Sequence, residues 1–271
     1  MDAQLLYLLL SLMLVGAAAG FSAGLFGIGG GAIIVPALYA AFTALGYSSE
    51  VVMHAAVATS AATIIVTSMR SASGHHKHAA VDWNLIWPGH IFGSWGVWIA
   101  VGSLLAAAEL AKYLSGTVLT LIFGGMASLI AIQLIFGRPD WRLASQVPTG
   151  ITAAPIGLSL GALCSLMGIG FGSFGVTFML LCGKRTHHAI GTAAALGMFI
   201  SIPATIGFII SGQSVAGRPA FSLGYVNLLG FAVIATMSFL FIPLGVRTAH
   251  KLPQDKLRMA FGVCLLLVAL N

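Results

Sequence analysis

The chain has 271 residues, of which 59% are hydrophobic and only 7% are charged, with a mean hydropathy of +1.02. A water-soluble globule of this size cannot bury so much apolar surface, so the composition specifies an all-α polytopic membrane protein embedded in a lipid bilayer. The net charge of +6 comes from twelve basic residues at segment ends, which reads as an orientation signal and argues against a nucleic-acid partner.

The N-terminus, MDAQLLYLLLSLMLVGAAAG, carries Asp2 where a cleavable signal peptide would carry positive charge, so it reads as a retained first segment. Apolar runs lie at about 5–25, 31–46, 51–69, 85–108 and 113–136. After the polar stretch FGRPDWRLASQVP at 136–148, further runs lie at 148–166, 172–182, 188–210, 225–246 and 257–270, five in each half. The six acids, Asp2, Glu50, Asp82, Glu109, Asp140 and Asp255, all fall between runs, so the lipid-buried part carries no carboxylate.

Length separates full crossings from partial ones. As helices, residues 172–182 would reach only about 16 Å and 31–45 about 22 Å, against a hydrocarbon core of about 30 Å. The runs before them end in glycine clusters, where a helix breaks. The pattern predicts two helical hairpins that dip into the membrane with glycine-rich tips at depth. The last run, 257–270, would reach about 21 Å and is the weakest span.

The halves echo one another. Phe26-Gly27-Ile28-Gly29-Gly30-Gly31 returns as Met167-Gly168-Ile169-Gly170-Phe171-Gly172, and HAAVATSAA from His54 returns as HHAIGTAAA from His187, in the same order. If each hairpin enters and leaves on one face, or equally if its two arms both cross, Arg70, Lys77, Arg138, Arg142, Lys184, Arg185, Arg247, Lys251, Lys256 and Arg258 share one side, leaving Lys112 and Arg218 on the other. A kinked single crossing at each cluster would split the charges about evenly, so charge favours the hairpin parity. Three spans plus a hairpin per half turn the second half over, which predicts an inverted repeat of 1–140 and 141–271 within one transmembrane domain.

Gly27 to Ala32 alone fits a relaxed dinucleotide-binding pattern, but no strand and βα unit surround it. Instead, the helix after each tip would present free backbone N–H groups and a positive dipole end to the break, and both favour an anion. Close helix packing is the competing explanation, as for Gly16, Gly20 and Gly24 in the first arm. Recurrence of the cluster beside a short helix favours an anion cradle of Gly27, Ile28, Gly29, Gly30 and Gly31 with Gly168, Ile169, Gly170, Phe171, Gly172 and Ser173. His54, Thr59 and Ser60 in the first half, and His187 and Thr192 in the second, offer further donors to an oxyanion. Hydroxyls that bond back to their own helix, and histidines at wet helix starts, are the alternative.

The loop SGHHKHAAVDW (73–83) reads as solvated rather than as a metal site, since His75, His76 and His78 lack helical ligand spacing and a second cluster. Cys164, Cys182 and Cys264 read as small packing residues, with neither metal-type spacing nor a disulfide framework. No metal or cofactor is expected. Trp83, Trp87, Trp95, Trp98 and Trp141 mostly fit interfacial anchoring, with Trp95 and Trp98 deep enough to line a cavity.

GLFGIGGGAIIVPAL (24–38), AVATSAA (56–62), SLMGIGFGSF (165–174), AIGTAAA (189–195), LGYVNLLGF and PLGVRTAHKLP resemble the TauE/SafE family of sulfite and organosulfonate exporters, over nearly the whole chain. The resemblance implies a multi-pass carrier of the bacterial inner membrane that exports a small sulfur oxyanion or sulfonate, with self-association into a homodimer left open. Phe171 stands where the first tip has Gly30, and Thr177 where the first half has Pro36, so the tips need not contribute equally. The expectation is a secondary transporter rather than an enzyme, with alternating access at the tips. A passive anion channel of the same fold is the alternative. A membrane-embedded enzyme is the weaker one, for Cys164 has no base beside it.

Overall fold

The computed structural model describes residues 3–27, 29–87, 89, 93–136, 142–253, 256, 259, 260, 262, 263 and 266. Ile28, Trp141, Cys264, Asp2, Asp140, Asp255, Arg138 and Arg258 lie outside the described residues, as does most of the run at 257–270.

Helices dominate. The first half contains α1 (Ala3–Phe26), α2 (Gly31–Ala44), α3 (Ser49–His76), a single turn α4 (Trp83–Ile86), α5 (Trp95–Ala108) and α6 (Gly116–Phe136). The second contains α7 (Ala153–Met167), α8 (Gly172–Leu181), α9 (Thr186–Gly212), the two-residue strands β1 (Ser222–Leu223) and β2 (Val226–Asn227), and α10 (Leu228–Lys251). Seven of these helices, α5 taken with its following turn to Lys112 and α7 with its preceding turn from Gly150, are long and apolar enough to cross a membrane. The two exceptions above a single turn are α2 and α8, at 14 and 10 residues, the two short helices expected.

Three boundaries differ from the hydropathy reading. The run at 85–108 is broken, because proline disfavours helix in the residue before it and Gly89 takes a left-handed φ of +86°. Helix α5 restarts only where the Ser94 hydroxyl accepts from Val97 N. The run at 225–246 begins in the antiparallel β1–β2 pair, with Ser222 opposite Asn227, and Asn227 then caps α10 by accepting from Gly230 N. The supposed loop at 73–83 starts as helix, since α3 continues to His76 and buries His75 completely.

Helix α3 is the centre of the molecule, with 89% of an apolar 18-residue stretch buried against 33% of the corresponding stretch of α6. Apolar side chains such as Leu14, Leu121, Leu129, Phe136 and Leu240 point outward, as lipid-facing surface does. Glycine sets the closest packing. A Cβ on Gly20 would stand 2.3 Å from Ser238 O and one on Gly24 2.2 Å from Ile242 O, so α1 lies backbone to backbone on α10. Gly102 and Gly161 do the same for α5 on α7, where added Cβ atoms would meet Leu158 O at 2.1 Å and Ile99 O at 2.2 Å. The arm entering each glycine tip thus packs on a helix from the other half.

The ends of the helices sort the charges. His75 at the end of α3, His187 at the start of α9 and His250 at the end of α10 cluster together, and Lys77, Lys184, Arg185 and Lys251 adjoin them in sequence. At the start of α3, His54 bonds Ala111 O next to Lys112 and stacks on Tyr225, whose neighbour Gly224 accepts from Arg218. The positive-inside rule makes the first end cytoplasmic. Helix α2 ends beside the start of α3 and α8 ends beside the start of α9, so the two short helices run toward opposite ends of the molecule.

Candidate functional site: two glycine tips on the middle of α3

Each hairpin turns through left-handed backbone. Gly27, Gly29 and Gly30 have φ of +69°, +69° and +83°, and Gly168 and Gly170 have +63° and +73°. A side chain there is strained whatever the surrounding space. Gly30 caps α2 and Phe171 caps α8, neither with a side-chain hydrogen bond. By the geometry of an α-helix, the first N–H groups of both short helices lack an intrahelical partner and face the breaks.

The tips touch. A Cβ added to Gly31 would lie 2.1 Å from Gly168 O and 2.7 Å from Ile169 Cα, which no side chain tolerates. A Cβ on Gly27 would lie 2.4 Å from Ile190 O of α9. The described residues of both tips are buried.

A polar stripe on α3 holds the tips in place. Ser60 Oγ donates to Gly168 O at 2.7 Å, and Thr67 Oγ1 donates to Gly29 O at 2.7 Å. Further along, Ser71 Oγ donates to Ala23 O at 3.0 Å and His75 Nε2 to Gly24 O at 3.0 Å. With Nε2 donating to a carbonyl, His75 Nδ1 in the neutral ring accepts from His250 Nε2 at 3.1 Å. Residues 60, 67, 71 and 75 are spaced by seven, four and four, so they share one face of the helix. Sequence reasoning found Ser60 and missed the other three, although that spacing was visible. Ser60 and Thr67 are the twelfth and nineteenth of 28 residues in α3, so both tips meet its middle.

Of the remaining expected donors, His54, Thr59 and Thr192 have other partners. His54 has Glu50 O at 3.0 Å from Nδ1 and Ala111 O at 3.1 Å from Nε2, and its ring stacks on Tyr225. Thr59 Oγ1 accepts from Asn227 N at 2.9 Å, tying α3 to the strand pair. Thr192 Oγ1 accepts from Asp82 N at 3.0 Å. His187 stacks on His250 with centroids 5.4 Å apart, and its buried Nδ1 has no partner. Ser173 Oγ is fully buried and also unpaired. The Phe171 ring meets Trp95 edge-on and lies so close over Gly175 that a Cβ there would stand 2.1 Å from it.

At the cytoplasmic end, Asp82 caps α4 and forms an ion pair with Lys184, linking the two halves. Burial opposes ionisation of Asp82, but the hydrogen bond and charge of Lys184 outweigh it and hold the carboxyl below its ordinary range. Beside this pair, a cavity of about 410 Å³ is lined by Ser145, Gln146, Thr149 and Cys182. Among the described residues, no three His, Cys, Asp or Glu side chains are arranged to hold a metal. His78 and His187 stack on His250 rather than converging with it on a point.

A match to the sulfite exporter TauE/SafE family covers residues 12–271, both glycine tips included. The chain belongs to the TauE/SafE family. A probable membrane transporter protein of Haemophilus influenzae is 32% identical over 96% of both chains. The probable membrane transporter protein YdhB of Bacillus subtilis is 26% identical over 71% of this chain and 76% of its own. A similarly named protein of Methanocaldococcus jannaschii is 23% identical over 96% of this chain and 93% of its own. No solved structure is a significant match. With its seven candidate spans, this TauE/SafE protein is a multi-pass transporter of the inner membrane.

Proposed function

We propose that the chain is a secondary transporter exporting a small sulfur-containing anion, a sulfonate such as sulfoacetate, or sulfite. The observation that carries this reading is the contact of Gly31 with Gly168 on the middle of α3, where two helix starts without side-chain caps converge. Irregular backbone at membrane depth persists only where it is packed in protein or lines a polar cavity. Backbone N–H groups with no side chain in the way suit an oxyanion. The family match supports sulfur oxyanions as the substrate class.

Alternating access is the mechanism of this reading, with residues 1–140 and 141–271 as inverted repeats that rock about the tips. The opposite directions of α2 and α8, and the exchanged pairing of α1 with α10 and α7 with α5, support it. In this reading His54 and His187 lie near the starts of α3 and α9, Thr59 and Thr192 hold neighbouring backbone, and Ser60 and the tips form the centre. An inside-negative potential of 100 mV adds about 2.3 kcal/mol per charge to anion export, roughly a 50-fold gradient. Export therefore proceeds without a carboxylate relay.

The test is calorimetric titration of purified protein with sulfite, sulfoacetate, taurine, sulfate and chloride, for wild type, Gly29→Leu and Gly170→Leu. Saturable binding of a sulfonate or sulfite that both leucines abolish, in protein that keeps its unfolding transition, is the expected result. Binding that survives both changes moves the site elsewhere. Flux into vesicles that never saturates with concentration makes the protein a channel instead.

A further inference from the structure

We infer that the two tips divide the work: the start of α8, with the hydroxyls of Ser173 and Thr177, binds the oxyanion head group, and the start of α2 is its packed wall. This rests on the transporter reading above and deepens it.

The first observation is an asymmetry in donors. A shift of 141 residues aligns the tips and places Ala32 opposite Ser173 and Pro36 opposite Thr177. Neither first-half residue has a side-chain donor, and Pro36 also lacks a backbone one. Helix α2 therefore offers only the N–H groups of its first turn.

The second observation is that both α8 hydroxyls are buried and unpaired. Ser173 is fully buried and Thr177 is 9% exposed, and neither oxygen has a hydrogen-bond partner. Elsewhere in the helices, Thr63, Thr120, Ser201 and Thr205 bond back to the carbonyl four residues earlier. Thr177 forgoes that bond although Ser173 O is its acceptor at that spacing. A buried hydroxyl without a partner is costly and rare in folded proteins, and two on one short helix point to something that pairs with them.

Geometry gathers them at the helix start. Ser173 is the second residue of α8, and each Cα–Cβ bond tilts toward the N-terminus, so its hydroxyl lies over the break at Ile169–Phe171. Thr177 is four residues on, hence on the same face. Phe171 and Gly175 lie about 200° around the helix from that face at about 100° per residue. The Phe171 ring, packed on Gly175 and against Trp95, therefore lies away from the hydroxyl face and does not cover it. An oxyanion at this helix start accepts from the first-turn N–H groups and from Ser173, with Thr177 one turn deeper.

The experiment measures sulfoacetate and sulfite affinity together with anion-free thermal stability, on the full chain in micelles. The variants are Ser173→Ala, Thr177→Val, Thr177→Ser and Ser211→Ala, the last removing a buried unpaired hydroxyl from the far end of α9. Ser173→Ala and Thr177→Val should each weaken binding about tenfold or more, the effect of losing a hydrogen bond to a charged group. Without anion, both should unfold at the wild-type temperature or above, because an unsatisfied group is gone. Thr177→Ser should keep its affinity, and Ser211→Ala should leave binding unchanged. Wild-type affinity in both Ser173→Ala and Thr177→Val overturns this inference and leaves the transporter reading intact. Affinity lost in step with stability assigns the hydroxyls to structure and also overturns it. A wild type that binds neither probe overturns both readings.

Discussion

The contact between the tips makes Gly31→Ala the most informative single change. The added Cβ would sit 2.1 Å from Gly168 O and 2.7 Å from Ile169 Cα, whereas ordinary contact begins at 3.4 Å, so the tips must part by about 1.3 Å. Both neighbours are backbone, so no rotamer change relieves the clash. Overpacking costs about 1–3 kcal/mol in a closed interior, and a backbone clash belongs at the upper end. Alanine restores about 1 kcal/mol of helix propensity, because Gly31 has helical φ. The clash wins, leaving a net loss of about 2 kcal/mol. Gly125→Ala in α6 is the control, since a Cβ there meets nothing within 4 Å. It gains the same propensity without the clash, so equilibrium unfolding in mixed micelles should separate the two variants by about 3 kcal/mol. Equal stability of the two alanine variants would refute the argument that the tips meet backbone to backbone.

Thr67→Val strands Gly29 O, and Ser60→Ala strands Gly168 O, inside the protein. Each should cost about 1–3 kcal/mol by the same unfolding measurement, and a loss within 0.5 kcal/mol of zero would mean that the hydroxyls do not hold the tips. His75→Leu removes the donor to Gly24 O and the acceptor for His250, so it should destabilise the end of α1 by a similar amount and speed hydrogen exchange there. Asp82 has a folded pKa held below its unfolded value, so its contribution is present above the ordinary carboxylate range and fades as pH falls through the folded pKa. The Asp82–Lys184 pair is partly exposed, so Asp82→Asn should cost on the order of 1 kcal/mol at neutral pH, a gap that closes on acidification. A gap that widens in acid would reverse the assigned sign.

The hairpins were legible because a helix too short for a membrane beside a glycine cluster is a local statement about length and backbone freedom. The donors were only half legible. Ser60 was found beside its motif, while Thr67, Ser71 and His75 continue the same face of α3 at a spacing that amphipathic reading detects in soluble helices and overlooks in a helix buried all round. Thr59 and Thr192 had the right chemistry and the right segments, yet they accept from Asn227 and Asp82, residues that carry no mark of their role in the sequence.

Composition, run length and glycine placement determined by themselves that the chain is a helical membrane protein with two broken hairpins, because hydropathy and the left-handed backbone are properties of neighbouring residues. Only the tertiary structure decided that Gly31 meets Gly168 and that Ser60 reaches a carbonyl 108 residues away. It also left Ser173 and Thr177 unpaired while Ser60 and Thr67 found acceptors on the tips. Such pairings depend on which helix faces come together, and sequence spacing within one helix carries no information about the partner's depth or direction.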